Sequence, residues 1–194
     1  MRSVLEHGAW VDHDPVWLGR EEADHALAAL RDELVWEQRA IVLFGRRVLQ
    51  PRLIAWAGEL GYRYSGQTLE PRPFTPPARQ LLDRVRAEVG EPFNHVLVNR
   101  YRNGDDSMGL HADDEPELGD DPVVATVSLG VVRRFVLRPR RRRDRSGRDF
   151  LLGHGALLVM GGTCQRYYVH GVPRDASALG ERISLTFRRL LRAP

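Results

Sequence analysis

The hydrophobic period of this chain changes once, near Phe93, and that change limits the folds open to it. Before it, Arg20 to Trp36 carries Ala23, Leu27, Leu30 and Leu34 at three- and four-residue spacing, which predicts a helix. Thr75 to Val89 predicts a second, with Thr75 as N-cap, Pro76 at the first helical position and Gly90 as the stop. Beyond Phe93 the runs are short, β-branched or aromatic, and broken by Gly, Pro and Asp: Asn94 to Tyr101, Val123 to Leu129, Arg134 to Leu137, Ala156 to Met160 and Arg182 to Leu190. Strands at that spacing suggest a sandwich or barrel. The expectation is one domain over 1–194, with a helical N-terminal part to about 92 and a β-rich core over about 93–191. Its class is α+β, mainly β.

The last of these runs is the most telling. In a strand, residues two apart share a face. Arg182, Ser184, Thr186 and Arg188 therefore look one way, and Ile183, Leu185 and Phe187 the other. Two guanidinium groups with hydroxyls between them suit a short dicarboxylate, because arginine grips a carboxylate bidentately. Upstream stand His111, Asp113 and His170. Two histidines and one carboxylate can hold one face of a ferrous ion and leave the other face open, as non-haem iron oxygenases require. His111 and Asp113 are two apart, whereas His170 must arrive from another strand. Metal ligands beside a dicarboxylate clamp point to an enzyme. Asn99 and Tyr101, also two apart, would project towards the same cavity.

Composition narrows the setting. With 194 residues and an ordinary apolar fraction, the chain can bury a real core. No apolar run reaches bilayer length, and the first residues lack the apolar stretch of a secretory leader. Cys164 is the only cysteine, which excludes an internal disulfide and fits a reducing compartment; cytoplasm is the expected location. The net charge is +3, yet nine arginines lie between Arg133 and Arg148 against Asp144 alone. Such a block suggests contact with a polyanion, and its Pro, Asp, Ser and Gly place 138–148 in a loop between strands.

From about Trp36 to Leu190 the chain resembles the AlkB family of iron- and 2-oxoglutarate-dependent demethylases, especially the group containing the animal nuclear DNA-repair members. The matching segments are Asn99-Arg100-Tyr101-Arg102-Asn103-Gly104, His111-Ala112-Asp113-Asp114-Glu115, His170 and Arg182-Ile183-Ser184-Leu185-Thr186-Phe187-Arg188, in the family's order and approximate spacing. Ser184 departs from the family's usual asparagine. The resemblance implies a double-stranded β-helix, a jelly-roll core, with the N-terminal helices packed on it. It implies Fe(II) held by His111, Asp113 and His170. It implies 2-oxoglutarate held by Arg182 and Tyr101 at its distal carboxylate, with Arg188 and Asn99 at the chelating end and Ser184 and Thr186 lining the pocket. O2 is the oxidant. The implied reaction couples 2-oxoglutarate decarboxylation to hydroxylation of a methyl group on a base such as 1-methyladenine or 3-methylcytosine, released as formaldehyde.

Those bases are cationic, so Asp114, and with it Glu115, is a candidate to favour them over their neutral parents. The segment Tyr62-Arg63-Tyr64 matches the part of the family that covers the base, with Tyr64 as the stacking ring. Phe44-Gly45-Arg46 lies in register with the hairpin by which duplex-repairing members insert an aromatic finger. A base must be flipped out of a duplex, or come from a single strand, to reach buried iron. The expected partner is alkylated DNA, with no membrane and no obligate protein partner. Two other readings remain open here: the same iron chemistry acting on RNA, protein or a small molecule, and a basic nucleic-acid-binding module without enzymatic activity.

Overall fold

The computed structural model describes residues 2–43, 45–64, 66–141 and 147–191. Its elements in chain order are β1 (Arg2–Val4), β2 (Trp10–Asp14), α1 (Arg20–Glu33), β3 (Ala40–Leu43), β4 (Arg46–Leu49), β5 (Leu53–Gly58), β6 (Tyr62–Tyr64), β7 (Gln67–Leu69), α2 (Pro76–Val89), β8 (His95–Tyr101), β9 (Met108–His111), β10 (Val124–Gly130), β11 (Arg133–Pro139), β12 (Arg148–Leu152), β13 (Ala156–Gly161), α3 (Cys164–Tyr167), β14 (Tyr168–Val172) and β15 (Arg182–Arg188). A seven-stranded sheet runs β1-β2-β13-β10-β15-β8-β5, and a four-stranded sheet runs β12-β11-β14-β9. The pairings in both are antiparallel. Two packed antiparallel sheets are the jelly-roll arrangement, and β3–β4 and β6–β7 stand apart as separate hairpins.

Strand β15 shows how the layers form. Ile183, Leu185 and Phe187 enter a core cluster with Ala23, Ala26 and Leu30 of α1 and Leu81, Leu82 and Val85 of α2. Burying each such aliphatic or aromatic side chain contributes about 1.5–3 kcal/mol, so this face fixes the register of the strand against the helices. The opposite face, with Arg182, Ser184, Thr186 and Arg188, is also buried, and looks towards the smaller sheet. Between the sheets, Tyr101, Val124, Leu158 and Met160 pack against Phe135, Leu137 and Leu152.

Helix α2 begins and ends where the sequence places it. Gly90 takes φ 78° at the C-cap, a left-handed conformation that a side chain disfavours. Thr75 occupies the N-cap position but its side chain makes no capping hydrogen bond.

The N-terminal part is not purely helical. It carries β1 to β7 beside the two helices, and β1, β2 and β5 complete the large sheet. Leu53–Gly58 is almost wholly buried, so it lacks the polar–apolar alternation that marks a half-exposed strand. The hairpins fail to signal for the opposite reason: β4 is exposed along its length. Among the described residues, no helix is long and apolar enough to cross a membrane.

Candidate active site

The three proposed ligands converge. His111 ends β9 and His170 lies in β14, and the two are cross-strand partners in the smaller sheet. Asp113 follows β9 by two residues. One donor atom from each of the three lies within 4.8 Å of the others. The His111 Nδ1 is 2.9 Å from the backbone oxygen of Gly109. A hydrogen bond there puts the proton on Nδ1 and leaves the Nε2 lone pair free for a metal. Phe135 stacks on the His170 ring, with centroids 5.4 Å apart, which fixes the orientation of that imidazole.

Electrostatics set the ligands in their metal-binding forms. Burial pushes His170 down to about 3 and lowers His111 as well, so both rings are neutral. Burial alone raises the Asp113 carboxyl, but the charge and hydrogen bond of Arg188 outweigh it and hold Asp113 down at about 2. The Nη2 of Arg188 donates to Asp113 Oδ1 at 2.6 Å. The other carboxylate oxygen, Oδ2, is buried without a hydrogen-bond partner. Two neutral imidazoles and one ionised carboxylate with an unused oxygen fit a ferrous ion with vacant positions.

The dicarboxylate clamp also fits. Arg182 is 1% exposed, and burial lowers its guanidinium to about 10. Its Nε donates to Ser128 Oγ at 2.8 Å, while Nη1 is buried without a partner. Arg188 likewise has Nε and Nη1 unpartnered. Buried donors left unmade are costly, and an incoming carboxylate satisfies them. Tyr101 pairs with Arg182, Asn99 with Ser184, and Thr126 with Thr186 across the strands. Asn99, Tyr101, Thr126, Ser184, Thr186 and Arg188 line one cavity with His111 and His170.

Several functional neighbours escaped sequence reasoning. Ser128 on β10 orients Arg182. Its signal was present, since Thr126 and Ser128 are polar at alternate positions of an otherwise apolar strand. Arg52 donates from Nε to Asn99 Oδ1 at 2.7 Å, which leaves the Asn99 amide free to donate into the cavity. Gln165 Oε1 accepts from the Asp113 backbone N–H at 3.0 Å. Nothing in the sequence marked Arg52 or Gln165. Replacing Ser128 with alanine is expected to raise the KM for 2-oxoglutarate roughly tenfold with kcat little changed, because a hydrogen bond to a charged group is worth about 1.5–3 kcal/mol. Steady-state succinate formation checks this.

The substrate-side candidates divide. Glu115 is half-buried beside Tyr62, and burial together with Asp113 raises its carboxyl. The Tyr62 ring is fully covered, packed with Ile54, Trp56 and Leu97, tilted against His95 and faced by the Arg188 guanidinium. Asp114 is exposed and paired with Arg140. Arg63 is exposed in β6; Gly45, at φ 76°, turns the β3–β4 hairpin and Arg46 opens β4. Phe44 and the Tyr64 side chain lie outside the described residues.

The basic block is less uniform than its composition suggests. Arg133 is 1% exposed and donates to the backbone oxygens of Asn103, Asp106 and Pro173, so it pins loops. Arg134 and Arg138 pair with Asp149, which sits one residue past the block. Arg142, Arg143 and Arg145 lie outside the described residues.

Known proteins resemble this arrangement. A family model described as "2OG-Fe(II) oxygenase superfamily" matches residues 12–188. The human "Alpha-ketoglutarate-dependent dioxygenase alkB homolog 3" is 38% identical over 189 residues, covering 93% of this chain and 66% of the relative. The mouse "DNA oxidative demethylase ALKBH2" is 36% identical over 187 residues, covering 91% of this chain and 78% of the relative. The chain thus spans just under two thirds of the length of the human relative. The solved "structure of OsALKBH1" has a TM-score of 0.67 at 17% identity, over 97% of this chain and 100% of that one. At that identity the likeness concerns the fold alone.

Proposed function

We propose, because this chain belongs to the 2OG-Fe(II) oxygenase superfamily and within it to the AlkB family, that it is an oxidative demethylase of alkylated bases in DNA. When bound, iron and 2-oxoglutarate supply the oxidising chemistry that hydroxylates a base N-methyl group. His111, Asp113 and His170 hold the metal. Arg182, oriented by Ser128 and joined by Tyr101, takes the distal carboxylate. Arg188, Asn99, Ser184 and Thr186 shape the rest of the co-substrate pocket. The two β-sheets exclude water from it, as the low exposure of Arg182, Asp113 and His170 indicates.

The observation that carries the enzymatic reading is a pair of buried arginines with unpartnered donors on one strand face, Arg188 bonded to Asp113 of the His–Asp–His cluster and Arg182 across from Tyr101, which lines the same cavity. A protein that only bound phosphate would not bury them there. Nucleobases are favoured as substrate by Asp114 and Glu115 next to the metal carboxylate, and by the relatives' named activity on DNA. The test is incubation with Fe(II), 2-oxoglutarate and oligonucleotides carrying 1-methyladenine or 3-methylcytosine, as single-stranded DNA, duplex DNA and RNA. Loss of one methyl mass from DNA, with matching succinate, is the expected product. Succinate with every oligonucleotide unchanged points instead to RNA-independent oxygenation of a protein or small molecule, and demethylation confined to RNA reassigns the polymer.

A further inference from the structure

The contact between Arg140 and Asp114 joins two parts of this reading. Arg140 directly follows β11 and begins the run Arg140–Arg143, whereas Asp114 directly follows the metal carboxylate. The Nη2 of Arg140 donates to Asp114 Oδ2 at 2.5 Å and to the backbone oxygen of Gln165 at 3.0 Å. Its own backbone N–H donates to the Tyr167 oxygen at 2.8 Å, so the root of the side chain is anchored to the sheet. Gln165, 1% exposed, in turn holds the Asp113 backbone N–H. An arginine of the basic segment therefore grips the turn that carries the metal ligand.

Two properties make this grip exchangeable. The Arg140 and Asp114 side chains are 41% and 56% exposed, and ion pairs in that setting contribute little because water screens them. A phosphodiester offers a guanidinium the same forked acceptor as a carboxylate. A strand presents many of them, and its binding is further driven by counterion release. Moving Arg140 from Asp114 to a phosphate thus costs little, and it leaves a carboxylate without its cation one residue from the metal site.

We propose that Arg140 is a charge-exchange gate: in the free protein it occupies Asp114, and on a nucleic-acid strand it moves to a phosphodiester and releases Asp114 to the cationic base. The inference rests on the demethylase reading and narrows its substrate class to lesions embedded in a strand. Free alkylated nucleosides must displace Arg140 themselves, a handicap of about a few-fold.

Both residues are exposed, so variants fold and the test is clean. Affinity for an unmodified single-stranded oligonucleotide at low salt is measured for the wild type, Asp114→Asn, Arg140→Gln and the double variant. Asp114→Asn frees Arg140 and tightens binding by about threefold. Arg140→Gln weakens binding and flattens its salt dependence by roughly one phosphate contact, and the double variant behaves like Arg140→Gln. In turnover, Arg140→Gln raises kcat/KM for free 1-methyladenosine while lowering it for the same base in an oligonucleotide. If the wild type binds the oligonucleotide and Asp114→Asn binds no tighter, the gate is overturned and the demethylase reading stands. An unchanged nucleoside-to-oligonucleotide ratio in Arg140→Gln overturns it equally. A wild type that binds no oligonucleotide removes both the gate and the nucleic-acid reading.

Discussion

Asp113→Leu is expected to destabilise the metal-free protein by about 3–5 kcal/mol and to abolish turnover. The reason lies in Arg188 rather than in the lost metal ligand alone. Its guanidinium is fully enclosed, and Asp113 is its hydrogen-bonded counter-ion at 2.6 Å. Removing one member of a buried pair strands the other charge in a medium that solvates it poorly. For a chain of this size that corresponds to a fall in Tm on the order of 10 °C. The companion variant separates charge from chemistry. Asp113→Leu combined with Arg188→Met replaces the pair with apolar side chains, and such replacements are often neutral or stabilising by ~1–4 kcal/mol. The double variant is therefore expected to recover most of the lost stability and none of the activity. Thermal unfolding of the metal-free proteins, followed by succinate assays, measures both. A single variant as stable as the wild type contradicts the pairing, and recovered turnover in the double variant contradicts the role of Asp113.

Arg182→Leu is expected to act the opposite way on stability. In the free protein Arg182 bears a desolvated charge, lowered to about 10 by burial, with Nη1 unpartnered. Leucine relieves that cost, so the metal-free variant is expected to be at least as stable as the wild type. The co-substrate loses its charge-assisted partner, and truncating one side of a buried charge pair costs about 2–5 kcal/mol. That predicts a rise in the 2-oxoglutarate KM of roughly 30-fold or more. Stability held or gained together with affinity lost is the signature of a side chain kept for a ligand. A variant that simply unfolds, or one with unchanged KM, contradicts this role.

The parts of the molecule that were legible in the sequence are those where one face differs chemically from the other. Strand Arg182–Arg188 alternates ionic or hydroxyl side chains with Ile183, Leu185 and Phe187, and the structure buries each set against a different layer. Helix α2 announced itself by Pro76 at its start and Gly90 at its end. The strand Leu53–Gly58 did not, because both its faces are covered and no alternation survives. The metal ligands were readable as residue types, but their convergence depends on the pairing of His111 with His170, a long-range register that no local pattern encodes. Arg52 and Gln165 were invisible for the same reason: each matters only through what it touches across the fold. Arg133 misled in the other direction, since its neighbours in sequence suggested a basic surface while its side chain turns inward to three carbonyls.

Anaerobic calorimetric titration of the purified protein with Fe(II) and 2-oxoglutarate decides whether His111, Asp113, His170 and Arg182 form one metal and co-substrate site. The expected result is one metal per chain, 2-oxoglutarate binding that is strong only once the metal is bound, and loss of the first in Asp113→Leu and of the second in Arg182→Leu. Metal binding that survives the loss of Asp113, or 2-oxoglutarate affinity indifferent to both the metal and Arg182, would contradict it.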